Sequence, residues 1–205
     1  MNAEKTENVT ITNKNMTMRI SLIGLFAALS YSVFRFGKID IPLPGGDATS
    51  FHLGNSICVL GALLMGEFYG GLGGSIGMTI GDLFEPKYVV HAPRTFILKL
   101  GIGFVTGIVA HKIGKIGTLN NEKDRYKWTI ISASSGMLFN VIFAPIASYY
   151  YRLLILGRPA AELTISFNII TTTVNAVASV IVAVIVYPPL RRAIKKAGLL
   201  QGIIK

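Results

Sequence analysis

"GGLGGSIGMTIGDLF", Gly70 to Phe84, sets six glycines among apolar residues and closes on Asp82, Leu83 and Phe84. Gly70, Gly74, Gly77 and Gly81 recur at intervals of four, three and four, which is the period of one helical face. A flexible loop has no reason to keep that period. A phosphate-binding loop needs a strand before the glycines and a Lys-Ser/Thr pair after them, and neither is present. The spacing therefore predicts a helix with a face of nearly bare backbone. Such a face is suited to lipid, where apolar side chains gain little by leaving the acyl tails for one another and helices associate through close packing.

Composition leads to the same solvent. The chain has 205 residues, of which 51% are hydrophobic and 15% charged, with a mean hydropathy of +0.55. These values exclude an ordinary soluble globular domain. The length suits several crossings of about 20 residues each, in one membrane domain. A net charge of +10 invites a nucleic-acid reading. The basic residues sit between apolar runs or near the C-terminus, however, so they serve membrane orientation and no nucleic acid is expected. The single cysteine, Cys58, lies inside an apolar run and excludes an intrachain disulfide.

Apolar segments fall at Thr17–Phe36, Phe51–Met65, Tyr69–Phe84, Pro93–Ile113, Trp128–Tyr151 and Leu163–Tyr187. The expected fold is an all-α integral membrane protein, a compact six-helix bundle occupying residues 16–190. Residues 1–15 read as a disordered cytoplasmic tail, and residues 191–205 as a basic cytoplasmic tail after Pro188 and Pro189 end the sixth span. With both termini inside, most of the 20 Lys and Arg residues fall on the cytoplasmic side, which favours N-in and C-in. The expected location is the plasma membrane, crossed several times.

Two further stripes of small residues accompany the third span. Gly54, Cys58 and Gly61 lie on the second, and Gly24, Ala28 and Ser32 on the first. The first-span stripe has two open readings, packing within the bundle or docking on a separate membrane protein.

Polar groups inside spans require partners, either another helix or a ligand. The sixth span carries Thr164, Asn168, Thr171, Asn175 and Ser179 on one face. At the helical rise, Asn168 lies about 8 Å and Asn175 about 18 Å below an outer start at Leu163. The fourth span adds Thr95, Lys99 and Thr106, and the fifth adds Ser132, Ser135 and Asn140. Lys99 either faces this site or snorkels outward. The outer loops add Pro42, Pro44, Gly45, Gly46, Asp47, His52 and Asn55 on one side and Asp82, Glu85, Lys87, Tyr88, His91 and Arg94 on the other, enough for a lid. Asn168, Asn175, Thr171, Lys99, Asn140, His52, Asn55 and His91 are the candidate substrate-binding residues. No histidine pair has metal-ligand spacing, and no nucleophile stands beside a base. Neither metal, cofactor nor enzymatic activity is expected.

The stretches His52-Leu53-Gly54-Asn55, Gly81-Asp82 closing the glycine-rich helix, and Ala92-Pro93-x-Thr95 with Lys99 resemble the substrate-binding S components of energy-coupling factor (ECF) vitamin transporters, in the riboflavin-type and related group. The resemblance covers the whole membrane region. It implies a six-helix protein that binds a vitamin or related small molecule near its outer face, in a pocket lined by the fourth to sixth helices and capped by outer loops. It further implies a transmembrane T component and two cytoplasmic ATPases as partners, which hydrolyse ATP, and toppling in the membrane to release substrate inside. The family's small-residue docking motif in the first helix falls on Gly24, Ala28 and Ser32, with glycine and serine where alanines are usual.

A self-sufficient secondary transporter is the competing class. Coupling to protons or sodium needs a carboxylate at mid-depth. By sequence position Asp82 and Glu85 fall at the outer end and Glu67 at a turn.

Overall fold

The computed structural model describes residues 2–43, 47–157 and 164–198, with side chains described for residues 16–43, 48–157 and 164–198. Pro44, Gly45, Gly46, the side chain of Asp47, the sixth-span start at Leu163 and the C-terminal residues 199–205 lie outside the described residues. The described elements, in order, are α1 (Asn2–Phe36), β1 (Ile39–Leu43), β2 (Asp47–Phe51), α2 (Gly54–Met65), α3 (Glu67–Leu83), α4 (Ala92–Gly107), α5 (Glu122–Tyr150) and α6 (Ile165–Lys196). A 3-10 turn at Val89–His91 leads into α4, and π-helical turns at Ile108–Ile113 and Tyr151–Ile155 extend α4 and α5.

Among the described residues, four segments are long and apolar enough to cross a bilayer: Met16–Phe36, Val89–Ile113, Glu122–Ile155 and Ile165–Lys196. With 12 and 17 residues, α2 and α3 are shorter, as the apolar runs in the sequence suggest. The helix α1 begins at Asn2, where disorder is expected from the sequence. A helix nucleated in the apolar segment propagates cheaply into its flank. At the other end, α6 runs through Pro188 and Pro189 to Lys196 instead of stopping at them. Each proline removes one backbone donor, but the turns on either side keep their own bonds.

The glycine-rich α3 is packed against α1, α2 and α4, so its stripe serves more than one neighbour. A Cβ on Gly70 would lie 2.3 Å from backbone atoms of Gly61 and Ala62, and one on Gly74 would lie 2.3 Å from the Cys58 sulfur. Gly77 and Gly81 instead face α1, where added Cβ atoms would meet the Ala27 carbonyl at 2.1 Å and the Phe34 ring at 2.5 Å. Ser30 on α1 donates to the Gly74 carbonyl at 3.0 Å. The α2–α3 connection is the single residue Gly66, whose φ of +84° permits the reversal. In the π-helical turn after α4, His111 contacts the Ala62 carbonyl at 3.1 Å and ties the end of α4 to that of α2.

The connection between α1 and α2 contains a β-hairpin. Its strands β1 and β2 pair antiparallel, from Ile39 opposite Phe51 to Leu43 opposite Asp47. The alternation in "IDIPL", a Pro-Gly-Gly turn and the β-branched and aromatic residues of "DATSF" are the sequence signal for it.

Candidate functional site

The hairpin lies across the end of the bundle and is held by side chains from three directions. The Asn175 amide of α6 donates to the Ser50 carbonyl at 2.9 Å and accepts from the His52 N–H at 3.0 Å. Thr49 meets the Thr171 hydroxyl at 3.4 Å. From the α3–α4 loop, the Tyr88 hydroxyl donates to Asp40 at 2.9 Å. Burial, and then the hydrogen bond to Asp40, push the Tyr88 phenol up from its ordinary value. Lys38 bridges Asp40 at 3.5 Å and Glu85 at 3.3 Å, and its ammonium sits 4.3 Å from the centre of the Tyr88 ring. Arg35 adds a 3.0 Å ion pair to the same Glu85 carboxylate.

Beneath the hairpin is a cavity of about 100 Å³, walled by α2, α3, α4, α5 and α6. Of the eight candidate substrate-binding residues, six line it: His52, Asn55, Lys99, Asn140, Asn168 and Asn175. Thr171 lies beside the wall with its hydroxyl directed to the Phe167 carbonyl and to Thr49. His91 is buried outside the cavity, its ring 6.1 Å from that of Tyr151. The edge of the His52 ring meets Phe34 at 5.0 Å, which fixes its plane.

Several lining groups keep unused hydrogen-bonding capacity. The Oδ1 atoms of Asn55 and Asn140 and Nδ1 of His52 are buried without a partner among the described residues. Lys99 is 8% exposed and forms no hydrogen bond or ion pair with a described residue. It does not snorkel outward. Buried polar groups are seldom left unmatched, so a wall of them marks a place for a polar ligand.

Sequence reasoning missed the charged floor. Asp82, assigned by sequence to the outer end of its span, is 2% exposed and lines the cavity, within Coulombic reach of Arg94 and Lys99. Arg94 lines it too, donating to Ser148 at 2.8 Å. So does Arg152, which follows the fifth apolar segment and is carried inward by the π-helical turn that prolongs α5, where it donates to Thr164. The apolar run ending "SYYYR" carries the signal for it, because a helix continued by one turn past the tyrosines keeps Arg152 in the bundle. Among the described residues lining the cavity, three basic side chains, Arg94, Lys99 and Arg152, face one carboxyl group, Asp82.

Gly24, Ala28 and Ser32 all lie on the exposed face of α1, and a Cβ added at Gly24 would meet nothing within 4 Å. The face of α1 that packs inward carries Phe26, Ala27, Ser30 and Phe34.

Neither a curated protein nor a solved structure matches the chain. Residues 14–192, the whole bundle up to the last turn of α6, match the family described as ECF-type riboflavin transporter, S component, and the chain therefore belongs to that family of membrane transport subunits.

Proposed function

We propose that the chain is the substrate-specificity subunit of an ATP-driven ECF importer in the plasma membrane, and that it captures a vitamin-like small molecule in the cavity beneath the hairpin. The observation that carries this reading is the buried wall of unmatched polar groups, Asn55, Asn140, His52 and Lys99, under a hairpin held by side-chain bonds. In this reading the chain crosses the membrane six times, with its tails, residues 1–15 and 191–205, in the cytoplasm. Asn168, Asn175, Asn140, Asn55, His52 and Lys99 meet the ligand, while Thr171 and His91 support the wall behind it.

Three cations against one carboxylate favour a ligand with an anionic or strongly accepting group beside hydrogen-bond donors for the amide oxygens. A cavity of about 100 Å³ is smaller than the several hundred Å³ usual for vitamin-sized ligands, so the hairpin moves to admit one. The exposed stripe Gly24, Ala28 and Ser32 docks on a T component, which brings two cytoplasmic ATPases. The test is mass spectrometry of small molecules retained by the purified protein, followed by calorimetric titration of the compound found. A saturable ligand whose affinity falls in Asn140→Leu and Lys99→Met supports the reading. Unchanged affinity in both variants, with folding intact, overturns the site. The buried Asp82 also permits ion-coupled transport, and uptake by the purified chain alone under an ion gradient, abolished in Asp82→Asn, identifies that second reading.

A further inference from the structure

A second cavity, of about 300 Å³, opens between the first turns of α5 and the last turns of α6. It lies at the far end of the bundle, because Arg191 in its wall is about 24 Å along α6 from the hairpin-binding Asn175 at the helical rise. Its chemistry is basic: Lys123 and Arg125 from α5 face Arg191 and Arg192 from α6. The one carboxylate in the wall, Glu122, is engaged by Arg192 at 2.8 Å on the exposed rim. Asp124 nearby accepts from Asn121 at 3.0 Å. Arg125 donates to the backbone carbonyls of Ile116 and Leu119, which fix its position but leave its charge uncompensated.

Two buried groups of α6 share this wall, and no carboxylate among the described residues neutralises them. Arg191 is 8% exposed, forms no ion pair with a carboxylate among the described residues, and has its Nε atom buried without a partner. One turn earlier on the same face of α6, Tyr187 is 1% exposed, and its hydroxyl lies beside the Arg191 guanidinium. A buried guanidinium without a counter-charge costs several kcal/mol, and a neutral phenol beside it does not offset the missing charge. A helix of the bundle does not hold this arrangement for packing alone, because a leucine and a phenylalanine fill the same space without the cost.

We infer that this cavity is a binding site for a phosphate group, carried either by an anionic lipid at this membrane face or by a soluble phosphate compound. The donors come from two helices and differ in kind, two guanidinium forks, an ammonium and a hydroxyl, so they surround a compact anion with several acceptor oxygens better than a planar carboxylate. The start of the 29-residue α5 adds the positive end of its dipole. A basic pocket between helices at a membrane face is where a lipid phosphate is within reach.

The experiment uses the full-length, delipidated protein in neutral detergent and follows its thermal unfolding. One arm titrates phosphatidylglycerol against phosphatidylcholine in mixed micelles, and the other titrates inorganic phosphate against chloride at matched ionic strength. Saturable stabilisation by phosphatidylglycerol alone, with the half-effect concentration raised at least tenfold in Arg191→Gln and severalfold in Tyr187→Phe, supports the site with lipid as its source. The same pattern with inorganic phosphate supports the site with a soluble source. If neither anion stabilises the wild type more than its control, or if both variants respond like the wild type, the site is overturned. Should Arg191→Gln fail to fold, Tyr187→Phe and Arg125→Gln carry the comparison. Substrate affinity at the hairpin cavity stays unchanged in Tyr187→Phe, which separates this site from that one.

Discussion

Asn168 and Asn175 stand two turns apart on α6 and line the same cavity, yet they have different work. The Asn175 amide gives both its oxygen and one N–H to the hairpin backbone. The Asn168 amide has no hydrogen bond to a described residue and remains available to a ligand. Asn168→Leu is therefore expected to weaken equilibrium binding about two- to tenfold, the worth of a neutral hydrogen bond. Asn175→Leu acts instead on closure, and stopped-flow dissociation should show a faster off-rate with a smaller change in the association rate. Lys99→Met has a larger expected effect. A hydrogen bond to a charged group is worth about 1.5–3 kcal/mol, so calorimetry should show affinity reduced at least tenfold. An equal loss in all three variants would point to general distortion of the cavity, not to these separate roles.

The hairpin and the glycine helix carry predictions at the level of elements. Tyr88 joins the α3–α4 loop to β1 through Asp40, and Tyr88→Phe removes that link while keeping the ring against Lys38. Hydrogen exchange of the amides in β1 and β2 should speed up severalfold in Tyr88→Phe, with the helices unaffected. The pH dependence has a definite sign. The phenol is raised in the folded protein above the unfolded value of about 10, so its contribution is complete below that value and is lost as pH rises through the folded one. The Tyr88 contribution to hairpin protection should thus stay constant between about pH 7 and 9, and should be lost only in stronger alkali.

In α3, the backbone of α2 leaves no room for a Cβ at Gly70, so Gly70→Ala should lower stability by about 1–3 kcal/mol or prevent folding. Gly24→Ala, in open space on α1, should leave the thermal midpoint unchanged or raise it slightly. Comparable losses in both variants would show that Gly24 is packed.

Across the whole molecule, the hairpin cavity and the exposed small-residue stripe are separate surfaces, which makes a dissection possible. Ala28→Trp blocks close approach of a partner helix without touching the cavity wall. The isolated variant should bind substrate like the wild type. Uptake in cells containing the T component and ATPases should fall at least tenfold, and those subunits should no longer co-purify. Normal uptake with lost binding would place the stripe inside the bundle and overturn the docking assignment. The basic cavity lies at the far end of α5 and α6 from both the hairpin and the cavity beneath it, so an effect there on complex assembly without an effect on binding is separable from either.

The sequence by itself determined the solvent, the helical character and most of the polar groups that share a cavity. Hydropathy and small-residue spacing are local properties, and a polar group inside an apolar run stands out without any knowledge of neighbours. The hairpin was legible in principle from "IDIPL" and "DATSF", but its alternation is short and was overshadowed by turn residues. Only the tertiary structure decided which amide holds the lid and which faces the cavity, because Asn168 and Asn175 have the same chemistry until the hairpin reaches one of them. It also decided the charged floor. Asp82 and Arg152 look like interfacial charges along the chain, and only the hairpin above one and the extra π-helical turn beneath the other bring them inside. Likewise, the regular glycine stripe revealed close packing but not its partners, since a period of 3.6 specifies a face of one helix, while the neighbours on that face follow from how all the helices cross.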